Sequence, residues 1–63
     1  MSNQRIEVRQ LDDENCEIVL LRNGEEFEIA TTNHDEHGWA GMEAVEDAVR
    51  RTAAAIGIEV KVV

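Results

Sequence analysis

The fold is decided by CEIVLLRNGEEFEIAT, residues 16–31, in which two β-prone runs flank the dipeptide Asn23-Gly24. A type I′ turn needs positive φ at both central residues, and Asn-Gly meets that need at low steric cost. Val, Ile and Phe in the flanking runs suit the pleated surface of a sheet. The stretch therefore predicts a β-hairpin with a two-residue loop.

A loop of two residues also fixes the register of the hairpin. On one face we expect four cross-strand pairs: Arg22 with Glu25, Leu20 with Phe27, Ile18 with Ile29, and Cys16 with Thr31. The other face then carries Glu17, Val19 and Leu21 opposite Ala30, Glu28 and Glu26. Because Val19 and Leu21 make this second face more apolar than a solvated surface requires, we interpret them as a candidate partner surface.

A further strand is predicted at residues 5–11, where Ile6 and Val8 alternate with charged residues. Both apolar side chains join the hairpin core only if Ile6 pairs with Leu20 and Val8 pairs with Ile18. This pairing requires a five-residue connection between the two strands, since a four-residue loop would turn the strand over.

A single amphipathic helix is predicted from Ala40 or Gly41 to Ile56, after a polar loop at residues 33–39. Its apolar stripe has a spacing of three or four residues: Met42, Val45, Val49, Ala53 and Ile56. Gly57 supplies a left-handed stop. A second flank of small residues, Ala44, Ala48 and Ala55, would let another backbone approach closely, or it reflects helix propensity alone.

The last strand is predicted where Ile58, Val60 and Val62 alternate with Glu59 and Lys61. The element order is then β-β-β-α-β. We expect one α+β domain, residues 1–63, with a three-stranded antiparallel meander and the helix packed on one sheet face. The fourth strand joins either edge, and Val62-Val63 would make an edge that can pair with a second copy.

The length of 63 residues limits the core, because a chain of this size buries only about 60% of the surface that it exposes when unfolded. Small domains often gain stability from disulfides, metals or oligomerisation. The one cysteine, Cys16, excludes an internal disulfide. We therefore expect self-association or a bound ion.

The charge excludes two classes of partner. Fourteen acidic and six basic residues give a net charge of −8, which repels nucleic-acid phosphates and anionic membranes. Five of the six cations are Arg, with Lys61 the one lysine. This balance is typical of haloarchaeal proteins, although bacteria with GC-rich genomes also favour Arg, so a halophilic source is one of two explanations.

The chain is predicted to be cytoplasmic. No apolar run approaches the roughly 20 residues needed to span a bilayer, and the start, residues 1–5, is polar instead of resembling a signal peptide. A lone cysteine agrees with this compartment, because small secreted domains are typically rich in disulfides.

Two imidazoles and two carboxylates lie together at His34-Asp35-Glu36-His37, and Cys16 is a potential third ligand. Such groups bind zinc and similar metals. The i and i+3 spacing differs from the i and i+4 histidines of helical zinc motifs, however. The alternative is a solvated polar loop, and we predict no cofactor and no metal.

Trp39 and Cys16 each have two interpretations. Trp39 either closes the open end of the core as a staple between loop and helix, or is an exposed interface anchor. Cys16 could act as a thiol nucleophile if a histidine lay beside it, but a cysteine that faces inward on a strand is more often a small core residue. We predict no catalytic residues.

The sequence favours a non-enzymatic interaction module that forms a homodimer, with an interface at Val19, Leu21 and Trp39. Two other functions stay open. One is an acidic regulator that mimics DNA and occupies a nucleic-acid-binding protein. The other is a small metal-binding protein that uses the loop from His34 to His37.

Overall fold

The computed structural model describes residues 3–63, and within them it forms one four-stranded sheet and one helix. Its elements in chain order are β1 (Gln4–Gln10), β2 (Asn15–Arg22), β3 (Glu25–Asn33), α1 (His34–Ile56) and β4 (Glu59–Val62). The strand order is β3-β2-β1-β4, with β4 parallel to β1 and the other neighbours antiparallel. The predicted α+β fold is confirmed, and β4 joins the edge formed by β1. Of the predicted polar start, Met1 and Ser2 lie outside the described residues.

The pairing of β1 with β2 confirms the predicted register. Ile6 pairs with Leu20 and Val8 with Ile18. Gln10 pairs with Cys16, so five residues connect the strands as expected. The Asp12 carboxylate holds this turn, because its Oδ1 accepts the main-chain N–H groups of Glu14 at 2.8 Å and Asn15 at 2.9 Å.

The hairpin turn forms as predicted, with φ of 51° at Asn23 and 81° at Gly24. The pairs nearest the turn, from Arg22–Glu25 to Val19–Glu28, also follow the prediction. Beyond them a β-bulge shifts the register by one residue. Three predicted pairings are therefore wrong, since the structure pairs Ile18 with Ala30, Glu17 with Thr31, and Cys16 with Thr32. The cause is one extra residue, Ile29, because a turn fixes the register only as far as the first bulge.

The predicted loop before the helix is wrong, because α1 begins at His34. Asn33 is its N-cap, and the Asn33 side-chain oxygen accepts the Glu36 N–H at 2.8 Å. Gly38, with φ 69° and ψ 168°, then kinks the chain between this first helical turn and the main helix. The missed signal is the capping pattern, in which Asn is followed three residues later by Glu.

The end of the helix is as predicted. Gly57 adopts a left-handed conformation with φ 77°, and the Ile58 N–H donates to the Ala53 carbonyl at 2.9 Å. This is the hydrogen bond of a Schellman C-terminal motif. It turns the chain directly from α1 into β4.

The core lies between α1 and the sheet face that carries Ile6, Val8, Cys16 and Ile18. From the predicted helical stripe, Ala53 is fully buried, while Met42, Val45 and Val49 are partly buried. Ile56 is 63% exposed and does not belong to the core. The reason is its position in the last turn, where the chain leaves the helix at Gly57. Within residues 3–63, no helix is long and apolar enough to cross a membrane.

Candidate functional site

The sheet face opposite α1, here called the outer face, is built around a network of ion pairs. Its central carboxylate is Glu7, which accepts from Arg5 Nε at 2.9 Å and from Arg9 Nη2 at 3.0 Å. Arg9 Nη1 also reaches the Glu26 carboxylate at 2.7 Å. Because Arg9 lies on β1 and Glu26 on β3, this last pair crosses β2. The network therefore ties three strands together.

Val19 lies beneath this network and is 1% exposed. In the sheet it sits between Glu7 on β1 and Glu28 on β3. Long charged side chains can cover apolar surface with their aliphatic stems while the charged ends stay in water. Val19 is thus covered in the isolated chain, and Leu21 is partly buried. Whether Val19 and Leu21 contact a partner stays a prediction. The alternation of apolar and charged residues could not reveal how the charged side chains would lie.

The network also changes the acid–base behaviour of Glu7. Hydrogen bonds from Arg5 and Arg9 hold the pKa of this carboxyl below its usual value, against the opposing effect of burial. Hydrogen bonds to Glu26 and Glu7 raise the pKa of Arg9. Both shifts reflect the stabilisation of the charged forms by these ion pairs.

The histidines of the first helical turn have partners within the chain. His34 packs against Trp39 with their ring centroids 4.3 Å apart. His37 Nδ1 lies 3.2 Å from the main-chain nitrogen of Asn33. Over residues 3–63, no group of three or more His, Cys, Asp or Glu side chains is close enough to hold a metal ion. The structure therefore does not bring Cys16 together with these two histidines as ligands.

Trp39 is 57% exposed, so it does not close the core in the way that the staple interpretation required. It instead borders a shallow cavity of about 280 Å³, which Cys16, Thr32 and Met42 also line. Of the three residues predicted to form an interface, Trp39 is the one whose side chain is largely accessible. Whether it binds a partner stays a prediction.

Cys16 is a buried core residue with a free thiol. Burial raises the pKa of this thiol, and the negative charge of Glu46 raises it further. A thiol nucleophile needs the opposite shift, because the thiolate is the reactive form. The structure thus supports the core interpretation of Cys16.

An apolar groove, which the sequence did not predict, runs between α1 and β3. It has a volume of about 380 Å³ and is lined by Ile6, Ile29, Ala30, Val45, Ala48 and Val49. Ile29 enters it from the bulge, and Ile29 and Phe27 on β3 are both about half exposed. The small side chain of Ala48 helps to leave the groove open.

The second open feature is the free side of β4, here called the β4 edge. The Val63 N–H donates to the Val8 carbonyl on β1 at 2.9 Å. Main-chain groups of successive strand residues point to alternate sides. The N–H groups of Val60 and Val62 therefore point away from β1 and toward this edge.

Comparison with known proteins supplies no relative for this chain. No family model, no curated protein and no solved structure matches it significantly.

Proposed function

We propose that this chain is a non-enzymatic interaction module whose first partner is a second copy of itself. The observation that carries the proposal is the incomplete cover of its core. Among the described residues of α1, Ala53 alone is buried, and the stripe residues Met42, Val45 and Val49 stay partly accessible. Association would bury part of the apolar surface that folding leaves exposed.

The exposed apolar side chains are numerous for so short a chain. Seven large hydrophobic residues are at least 45% exposed within the part of the chain described: Leu11, Phe27, Ile29, Trp39, Ile56, Val62 and Val63. Single exposed apolar residues are ordinary, but those next to an apolar groove or an unpaired strand add to a continuous surface. Ile29 lines the groove beside α1, and Val62 lies on the unpaired side of β4.

The environments of the potentially reactive side chains support binding over catalysis. The Cys16 thiol is buried and its pKa is raised by that burial, and His34 and His37 contact Trp39 and Asn33. The Glu7 carboxyl, which has the most charged partners, is held ionised by two arginines. A general base needs a pKa near the working pH, and this environment drives Glu7 away from it.

The outer face also argues against a DNA mimic. Such a protein presents an uninterrupted negative surface to its partner. Here Arg5 and Arg9 interleave with the carboxylates of Glu7 and Glu26. The cytoplasm remains the proposed compartment, where a lone buried thiol such as Cys16 stays reduced.

Sedimentation equilibrium tests the proposal directly. For the untagged chain at an ionic strength of about 0.15 M, we expect the mass to rise from 7.1 kDa toward twice that value across the micromolar range. Dilution should reverse the change. A mass that stays at 7.1 kDa up to millimolar protein would contradict self-association.

A further inference from the structure

We propose that the second copy binds at the β4 edge, where the two β4 strands pair antiparallel about a two-fold axis through Val60. This inference rests on the proposed self-association and specifies its surface. The product would be one continuous eight-stranded sheet, because β4 is the end strand in the order β3-β2-β1-β4. Such an interface is isologous, with the same patch on both copies.

The main chain of β4 has the groups that this pairing needs. The N–H and carbonyl groups of Val60 point outward, so the two Val60 residues would exchange a pair of hydrogen bonds. The Val62 N–H would meet the Ile58 carbonyl of the second copy. The Ile58 N–H already donates to Ala53, so it adds none. The interface thus gains about four main-chain hydrogen bonds.

The charges of β4 are self-complementary in this register. Glu59 lies opposite Lys61 of the second copy, and Lys61 lies opposite Glu59 of the second copy. These are non-hydrogen-bonded pairs, in which antiparallel side chains are closest. All four charged side chains fall on the outer face, because Glu59 pairs with Arg5 and Lys61 with Glu7 within the chain.

The apolar side chains of β4 match equally well on the other face. Val60 would meet Val60 of the second copy, and Val62 would meet Ile58 of the second copy. In the chain Val60 pairs with Ile6 and Val62 with Val8, so these contacts extend the core side of the sheet. Val62 is 59% exposed in the isolated chain, and the pairing would cover it.

Other pairings are less favourable. An antiparallel register centred on Lys61 would place the two lysines against each other, which destabilises a cross-strand pair. The opposite end of the sheet, β3, carries a bulge at Ile29 and acidic side chains at Glu25, Glu26 and Glu28. Bulges and charges are the devices that protect a sheet edge from pairing. The β4 edge lacks a bulge and has both signs of charge.

The variant Val62→Pro tests the hydrogen bonds. Proline has no N–H, and the lost group faces away from β1, so the fold of the single chain should persist. We expect the dimer dissociation constant to rise about tenfold or more. Val62→Ile is the matched control, because it keeps both the N–H and the apolar character. Circular dichroism and sedimentation equilibrium of both variants separate loss of fold from loss of association.

Charge reversal tests the register. Lys61→Glu alone and Glu59→Lys alone should each weaken self-association by about tenfold, because each puts like charges opposite each other. An equimolar mixture of the two variants should form a heterodimer, since every pair across the axis is then complementary. Damage to the single chain could weaken association but could not produce this recovery on mixing.

The outcomes separate this inference from the proposed function. Monomeric wild-type chain at every concentration would overturn both. The β4 edge alone would be overturned if the wild-type chain dimerises, Val62→Pro and Val62→Ile have the same dissociation constant, and the mixture of Lys61→Glu with Glu59→Lys shows no recovery. Self-association would then use another surface, such as the groove beside α1.

Discussion

Glu7 is the residue that links the outer face to the stability of the sheet. It is buried within an ionic network, with Arg5 and Arg9 on either side and Lys61 as its neighbour on β4. The alternation of Glu7 and Arg9 with the apolar Ile6 and Val8 along β1 is as predicted. That Arg9 also crosses β2 to reach Glu26 depends on side-chain rotamers, which alternation does not specify.

We expect Glu7→Gln to reduce the dependence of stability on acid pH. Because ion pairing lowers the pKa of Glu7 in the folded chain, its contribution is complete above the unfolded pKa of about 4.3. It is lost as the pH falls through the lower folded pKa. Urea unfolding at a series of pH values gives the free energy of unfolding as a function of pH, and its fall at acid pH is here called the acid limb. The variant should have a shallower acid limb and a lower free energy of unfolding than wild type at neutral pH.

The control for this experiment is Glu25→Gln, which changes the same kind of group at the exposed hairpin turn. Asp12 also has a lowered pKa, through hydrogen bonds from Glu14 and Asn15, so part of the acid limb should survive in both variants. An acid limb as steep in Glu7→Gln as in Glu25→Gln would show that the network does not control acid stability.

The sequence predicts which helices and strands form better than it predicts their boundaries and register. Asn23-Gly24 and Gly57 identify two turns correctly, because each needs a backbone conformation that few residues adopt. The bulge at Ile29 carries no such signal in its residues. It lies where β3 borders the groove beside α1, and it shifts the partners of Ile18, Glu17 and Cys16 by one residue.

The helix start offers a test of the corrected boundary. If Asn33 caps a helical turn, Asn33→Ala should lower the free energy of unfolding by about 1 kcal/mol. Asn33→Asp is the matched control, because its carboxylate can accept the same Glu36 N–H, and it should stay close to wild type. Denaturant unfolding of the three chains measures the difference. Equal stability of the alanine and aspartate variants would support a loop at residues 34–37.

For the whole molecule, the net charge of −8 lowers the stability of the folded state, which the small core has to maintain. Self-repulsion among like charges weakens a compact state, and salt screens it. Apolar surface remains open at the groove and at the β4 edge. No composition or periodicity could have shown which edge of the sheet stays free.

The charge predicts how stability responds to salt. We expect the melting temperature to rise when KCl increases from about 0.1 M to about 2 M at neutral pH. The same series near the sequence pI of about 4.5 is the control, because the net charge is then close to zero and the salt effect should shrink. A melting temperature that does not rise with KCl at neutral pH would remove the case for a halophilic protein.

If a second copy completes the sheet at the β4 edge, association should protect the outward-facing amides of β4. Residue-resolved hydrogen exchange of the wild-type chain, at low and at high protein concentration, tests it most directly. We expect the amides of Val60 and Val62 to exchange more slowly at high concentration, while those of Glu26 and Glu28 at the β3 edge should not change. Exchange at Val60 and Val62 that is independent of concentration, in samples where sedimentation shows a dimer, would contradict it.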